Sequence, residues 1–449
     1  MDITITGDKD YPANIKFIKN IICTIVINID PYNIIKSVFS IKNDSIKILD
    51  VSEKEHIINM SPYRTVIVLG VGKACAPIAF FLESKLKDKI NSGYIVVKHD
   101  FNKEFNKIKL LKAGHPYPDK NSLYAGKLFY EIISKSRSDT IIFFIITGGG
   151  SSLLVYPDER ISIEEVILFN EIIVNAGLSI QQINQLRTAI SKIKGGLLAK
   201  AANPAKVISL IMSDVPGNKL EFIASGPTVN NEIDYESVFK MINTNEKLMK
   251  IPENIINFLK NQKNNQLIIR NKNAENILIG SNKKILNEIS FLIKNEGYIV
   301  KIISDNLSGD IENCVTQFIE MIKDNLKINS PICFLSGGET QVDVKNNSGQ
   351  GGRNTHFTLL FAKHAIINNL HKKEKITFIS FATDGNDGNT DAAGAVVQID
   401  KIVKRTSLTE IKRSLDNFDS YNFFKKYGGL IKTGPTNSNF MDLQIILLG

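Results

Sequence analysis

Tryptophan is absent, cysteine is limited to four residues in 449, and no apolar run approaches the ~20 residues that a membrane-spanning helix needs. Cys23, Cys75, Cys314 and Cys333 lie far apart and form no metal-ligand spacing, so neither a zinc site nor a disulfide framework is predicted. The first residues, MDITITGDKDYP, carry acids where a signal peptide has a basic and then an apolar stretch, which points to a cytoplasmic protein. No arginine-rich or aromatic-interleaved stripe is present. The net charge of +9 and pI near 9.0 come from scattered lysines beside Asp and Glu, a pattern that suits small acidic ligands and predicts neither nucleic acid nor membrane as partner.

What is present is an ordinary globular composition, 43% hydrophobic and 22% charged, over a length that fits two or three domains. Short β-branched runs alternate with helical patterns. Thr65 to Leu69 reads as a buried parallel strand, ends in Gly70-Val71-Gly72-Lys73 and precedes a helix-compatible stretch from Ala74 to Lys87. The Walker spacing is not met, and Cys75 stands where the dinucleotide pattern needs its third glycine. Close helix packing explains these glycines as well as a ligand does. Lys73 adds information, because a lysine in a first helical turn opposes the macrodipole and implies an anion nearby.

Thr140 to Ile146 is the most apolar strand, and Gly148-Gly149-Gly150-Ser151-Ser152 after it supplies a nest of N–H donors and hydroxyls. His115, between two prolines in AGHPYPD, reads as a substrate contact or a hydrogen-bonded loop residue. A helix over Gln181 to Ile193 leads to Lys194-Gly195-Gly196, a glycine-capped end presenting a cation. Strand Lys206 to Met212 ends in Ser213-Asp214-Val215-Pro216-Gly217. Asp214 therefore sits where α/β sheets bind ligands, with an Asx turn as the other reading. From Asn230 to Asn276 the composition turns to Asn, Lys and Glu, which predicts a hinge.

The segment Phe334 to His356, FLSGGETQVDVKNNSGQGGRNTH, joins a strand, a Gly-Gly turn with Glu339, a polar loop, and Gly351-Gly352-Arg353-Asn354 at a helix start. Gly337 and Gly338 admit close backbone approach. The second glycine pair precedes helical N–H groups, and Arg353 offers a fork of donors matched to an oxyanion. In TDGNDGNTD, Asp384, Asp387 and Asp391 are spaced by glycines. They suit Mg²⁺ or a series of Asp-Gly turns, and no Glu closes an EF-hand loop. Thr436 lies in the last polar loop, TGPTNSN. Together these loops predict two α/β domains with mainly parallel sheets: a larger Rossmann-like domain over 1–235, a hinge over 236–275 and a smaller domain over 276–449, with phosphoryl-transfer chemistry in the cleft.

The set GVGKACAP, AGHPYPD, TGGGSSLL, SKIKGGLLA, SDVPG with SGPT, SGGETQV with GGRN, TDGNDGNTDAAG and TGPTNSN resembles the class II glycerate kinases, the MOFRL family, in family order from about Val66 to Asp442. The resemblance implies ATP- and Mg²⁺-dependent phosphorylation of D-glycerate, usually to 2-phosphoglycerate, between a Rossmann-like domain and a smaller C-terminal one. Lys73 and Arg353 match the family's phosphate or carboxylate clamps, and Asp214 is the residue expected to orient or deprotonate the substrate hydroxyl. Gly72, Gly148, Gly149, Gly150, Ser151, Lys194, Ser213, Gly337, Gly338, Glu339, Asn354 and Thr436 are the expected binding residues, with Asp384 and Asp387 for the metal. A monomer or homodimer is expected. Asn218, Asn437-Ser438 and Asn389 depart from the usual family pattern without removing the lysine, the arginine or the nests. The alternatives are an NAD(P)H-dependent hydroxypyruvate reductase, a kinase forming 3-phosphoglycerate, and a non-catalytic sensor of phosphorylated metabolites.

Overall fold

The computed structural model describes residues 3–7, 15–99, 101, 104–263, 265–326, 330–344 and 349–449. The chain divides into two compact units, Ile34–Gly280 and Met1–Asn33 with Ser281–Gly449.

The unit Ile34–Gly280 is built on six strands: β1 (Thr65–Val71), β2 (Ile90–Lys98), β3 (Ile108–Ala113), β4 (Thr140–Ile146), β5 (Lys206–Met212) and β6 (Ala274–Gly280). They lie in the order β3-β2-β1-β4-β5-β6 and every pairing is parallel. This is the doubly wound order, in which the winding reverses between β1 and β4. Every residue of β4 is buried, as expected of a strand covered on both faces. Leu69, Phe129, Phe144, Leu198 and Ile223 fill one core of this unit. A three-stranded antiparallel sheet, Phe39–Lys42, Ser45–Leu49 and Glu55–Asn59, completes the sheets before β1.

Residues 236–275 are not a hinge. They carry the helices Tyr235–Thr244 and Glu253–Gln262 and a strand, Gln266–Ile269, that pairs antiparallel with Asn231–Asp234. Val238, Ile242, Ile255 and Leu259 pack with Phe169 and Leu186 in a second core of the same unit. The Asn, Lys and Glu that suggested a linker lie on the outer faces of short amphipathic helices.

The other unit is centred on β7 (Ile299–Asp310), β8 (Ile332–Gln341), β9 (Ile376–Ala382), β10 (Gly394–Gln398), β11 (Leu430–Lys432) and β12 (Asp442–Leu448). Their order is β11-β10-β9-β12-β8-β7, and Thr4–Ile5 pairs with β11 at the edge. Only β7 and β8 run parallel; the other pairings are antiparallel. The α/β class therefore holds in both units, whereas the mainly parallel arrangement expected of both sheets is confined to the first. Helix Arg353–Ile367 buries Phe357, Leu360 and Phe361 against this sheet, where Phe361 stacks on Phe378 at 4.2 Å. Among the described residues, no single helix is long and apolar enough to cross a membrane.

Candidate active site

In the unit Ile34–Gly280 the loops after β1 and β4 meet at the point where the winding reverses. Thr147 N–H donates to Val71 O at 3.0 Å, Lys73 N–H to Gly148 O at 2.9 Å, and Ala74 N–H to Thr147 Oγ1 at 3.1 Å. Gly72 has φ +122°, and a Cβ there would come within 2.1 Å of Thr147 Oγ1, so only glycine fits this crossing. A Cβ on Gly149 would lie 3.1 Å from both His115 Cδ2 and Lys73 Cγ, and one on Gly148 would lie 1.9 Å from Asp214 Oδ2. Lys73, His115 and Asp214, from three separate loops, are thus gathered against two adjacent glycines. Lys73 is exposed, and the other two are half-buried. Burial, helped by the charges of Lys73 and Lys98, lowers the His115 pKa to about 4, so the imidazole is neutral at pH 7.

Beside this cluster Ser151 Oγ lies 3.0 Å from Ser225 Oγ, and Ser225 donates to Asn184 Oδ1 at 2.7 Å. Lys194 is buried and donates from Nζ to Ser151 O at 2.6 Å. It follows a helix shorter than expected, Ile180–Ala189. Ser213 turns inward, donating to Val215 O at 3.1 Å, and is a turn residue in this arrangement.

Within the second unit the Gly337-Gly338 pair is not a turn. Strand β8 continues to Gln341, and the two glycines admit its neighbours. A Cβ on Gly337 would lie 2.0 Å from Asn282 Oδ1, and one on Gly338, at φ +144°, would lie 2.1 Å from Leu307 O. Of the polar loop that follows, residues 345–348 lie outside those described. Arg353 opens its helix and is held by two acids: Nη2 donates to Glu339 Oε1 at 2.9 Å and to Asp442 Oδ1 at 3.2 Å, and Nε donates to Asp442 Oδ2. Nη1 makes no hydrogen bond among the described residues.

Asp442 was not among the expected site residues. Its side chain is 1% exposed, and burial raises its pKa to about 7 even though Arg353 opposes the shift. Arg353 itself is raised above its ordinary value by Asp442 and Glu339, although burial opposes that shift. The two directions agree once desolvation of an enclosed carboxyl outweighs its attraction to a guanidinium that is 36% exposed.

Three of the expected ligand residues make hydrogen bonds within the protein. Asp387 accepts Asn354 N–H on Oδ1 and Thr355 N–H on Oδ2, both at 2.8 Å, so it caps helix Arg353–Ile367 and neutralises the terminus that the Gly351-Gly352 pair was expected to offer an anion. Buried Asn354 accepts from Ser380 Oγ at 2.6 Å. Thr436, also buried, donates to Thr383 O at 2.6 Å. Asp384 is exposed, with Oδ1 accepting Asn386 N–H at 3.0 Å. Among the described residues no three His, Cys, Asp or Glu side chains are grouped to hold a metal. A cavity of about 610 Å³ lies beside Arg353, lined also by Thr340, His356, Asn386 and Phe418.

Two family profiles cover most of the chain: a domain of unknown function, DUF4147, over residues 17–260, and the MOFRL family over residues 332–442. The D-glycerate 2-kinase of Thermotoga maritima is 33% identical over 93% of this chain and 99% of its own length, and the glycerate 2-kinase of Pyrococcus horikoshii is 32% identical over 93% and 94%. The chain belongs to the class II glycerate kinase family. The crystal structure of the Thermotoga maritima glycerate kinase superposes with a TM-score of 0.82 at 29% identity, covering 97% of this chain and 99% of that one. Within this glycerate kinase fold, the Lys73 cluster belongs to the DUF4147 region and the Arg353 cluster to the MOFRL region.

Proposed function

We propose that the protein transfers the γ-phosphoryl group of ATP to the 2-hydroxyl of D-glycerate, forming 2-phosphoglycerate and ADP. The observation that carries this reading is the gathering of Lys73, His115 and Asp214 around Gly148-Gly149 at the reversal of a doubly wound sheet. Asp214 takes the hydrogen of the substrate hydroxyl as its oxygen attacks the γ-phosphorus; the bond from that phosphorus to the β-phosphate oxygen breaks, and ADP leaves. Lys73 supplies positive charge where the transferring group is most anionic. Neutral His115, beside Lys73, donates or accepts a hydrogen bond without adding a charge. In the second unit Asp442 and Glu339 fix the guanidinium of Arg353 and leave Nη1 for an oxyanion.

Mg²⁺ accompanies ATP in such reactions, bound by one or two carboxylates and the phosphates. Asp384 and Asp387 do not fit as its chelating pair, because Asp387 is 1% exposed with both oxygens turned to backbone N–H groups, whereas Asp384 is exposed.

The test is to incubate the protein with D-glycerate, ATP and Mg²⁺, follow ADP by a coupled assay and identify the product by phosphorus NMR. Glycerate-dependent ADP with 2-phosphoglycerate is the expected result. A 3-phosphoglycerate signal would change the regiochemistry, and NADH or NADPH oxidation with hydroxypyruvate in place of ADP would overturn the reading.

A further inference from the structure

A small cavity beside the Gly148-Gly149-Gly150 loop has about 20 Å³ of space and is lined by Ser151, Tyr156, Asn170, Arg187, Ser191 and Lys194. Two of these residues are cations and none is an acid. Lys194 Nζ has one partner, Ser151 O at 2.6 Å, and Arg187 Nε donates to Asn170 Oδ1 at 2.9 Å. Among the described residues neither side chain forms an ion pair, and the terminal nitrogens of Arg187 make no hydrogen bond. Two enclosed positive charges without a counter-charge are costly, and each leaves N–H donors unused. The arrangement makes physical sense once an anion sits between them.

We propose that Arg187 and Lys194 form the subsite that binds the carboxylate of the substrate. This rests on the glycerate reading above and goes beyond it by fixing which end of the molecule is held where. The cavity is small, with space for about one water-sized group, so of the two anionic groups in the reaction the flat, three-atom carboxylate needs less room made for it than a tetrahedral phosphoryl group. Burial, reinforced by the charge of Arg187, holds Lys194 well below its ordinary pKa, and burial brings Arg187 to about 10; an anion would reverse both shifts. Ser151 is two residues from Gly149, where Lys73 and His115 converge.

The test is D-glycerate binding by calorimetry without nucleotide, together with steady-state kinetics, for the wild type, Arg187→Gln, Lys194→Gln and the charge-conserving Arg187→Lys. Loss of one charge-assisted contact should weaken glycerate binding and raise KM about ten- to a hundred-fold, with kcat changed much less and Arg187→Lys retaining part of the affinity. Formate or acetate should compete with glycerate in the wild type, and inorganic phosphate should not. Unchanged glycerate affinity in both glutamine variants would overturn the assignment. Absence of formate competition in the wild type, or competition by phosphate instead, would do the same even if the variants fail to fold. If formate binds and the variants lose it while no ADP forms with glycerate, the carboxylate subsite stands and the kinase reading fails.

Discussion

Asp442 ties the stability of its unit to pH. Folding raises its carboxyl from 3.8 to about 7, so the folded chain holds this proton more tightly than the unfolded one. The stability tied to this group is therefore greatest below pH 4. It falls as pH rises from about 4 to 7 and is constant above that. Between pH 5 and pH 8 about two of those units are crossed, each worth about 1.36 kcal/mol, which gives a loss of about 2 to 3 kcal/mol. Asp442→Asn keeps the shape and removes the titration. Thermal unfolding of both proteins should be followed at pH 5, 6, 7 and 8, since all other groups titrate alike and cancel in the difference. The variant should gain on the wild type across this range by about 5 to 10 °C, using about 2 to 4 °C per kcal/mol for a unit of this size. A difference that stays flat across the range would mean that Asp442 is ionised throughout and that its attraction to Arg353 outweighs its burial.

Other variants address the remaining roles. Lys73→Ala should lower kcat/KM by at least about a hundred-fold with an unchanged circular dichroism spectrum, and near-normal turnover would remove Lys73 from the mechanism. Gly148→Ala would place a Cβ 1.9 Å from Asp214 Oδ2 and displace that carboxylate. Turnover should drop about ten- to a hundred-fold while nucleotide affinity is kept, and wild-type kinetics would show that Asp214 does not act on the substrate. Asp387→Ala removes both acceptors from a helix start and should cost about 2 kcal/mol in denaturant unfolding. Unchanged stability with a weakened Mg²⁺ dependence would restore the metal role to this residue.

The parts of the molecule legible in the sequence are those whose physics is local. β1 and β4 are covered on both faces, so they read as unbroken apolar runs, and the glycines at their ends mark the crossing of two loops. The same locality explains the misreadings. Asp387 looks like a metal ligand because its partners, Asn354 and Thr355, lie more than thirty residues earlier. Gly337-Gly338 looks like a turn because nothing nearby in sequence reveals that Asn282 and Leu307 press against it. Arg187 has no motif of its own. Its signal is a stripe, Asn184, Arg187, Ser191 and Lys194, at intervals of three and four residues, and it points inward although the helix ends at Ala189. The outer faces of 236–275 hid their buried partners because composition averages over both sides of a helix.

Strand Thr4–Ile5 and helix Ile15–Asn28 pack with the last part of the chain. Helix Ile15–Asn28 lies on helix Asn282–Asn295, Phe17 stacks on Tyr298 at 5.7 Å, and Thr4–Ile5 pairs with β11. On the ribosome this opening segment emerges long before its partners exist, whereas Ile34–Gly280 is contiguous and can close its parallel sheet as soon as β6 is made. The N-terminal helix must then wait, with Ile18, Ile21, Ile22 and Ile25 uncovered, until the final third of the chain arrives. Synthesis order thus makes one unit independent and the other the last to form. A chain that begins at residue 34 should keep the first unit intact and leave the second prone to aggregation, a difference that limited proteolysis of the shortened protein would reveal.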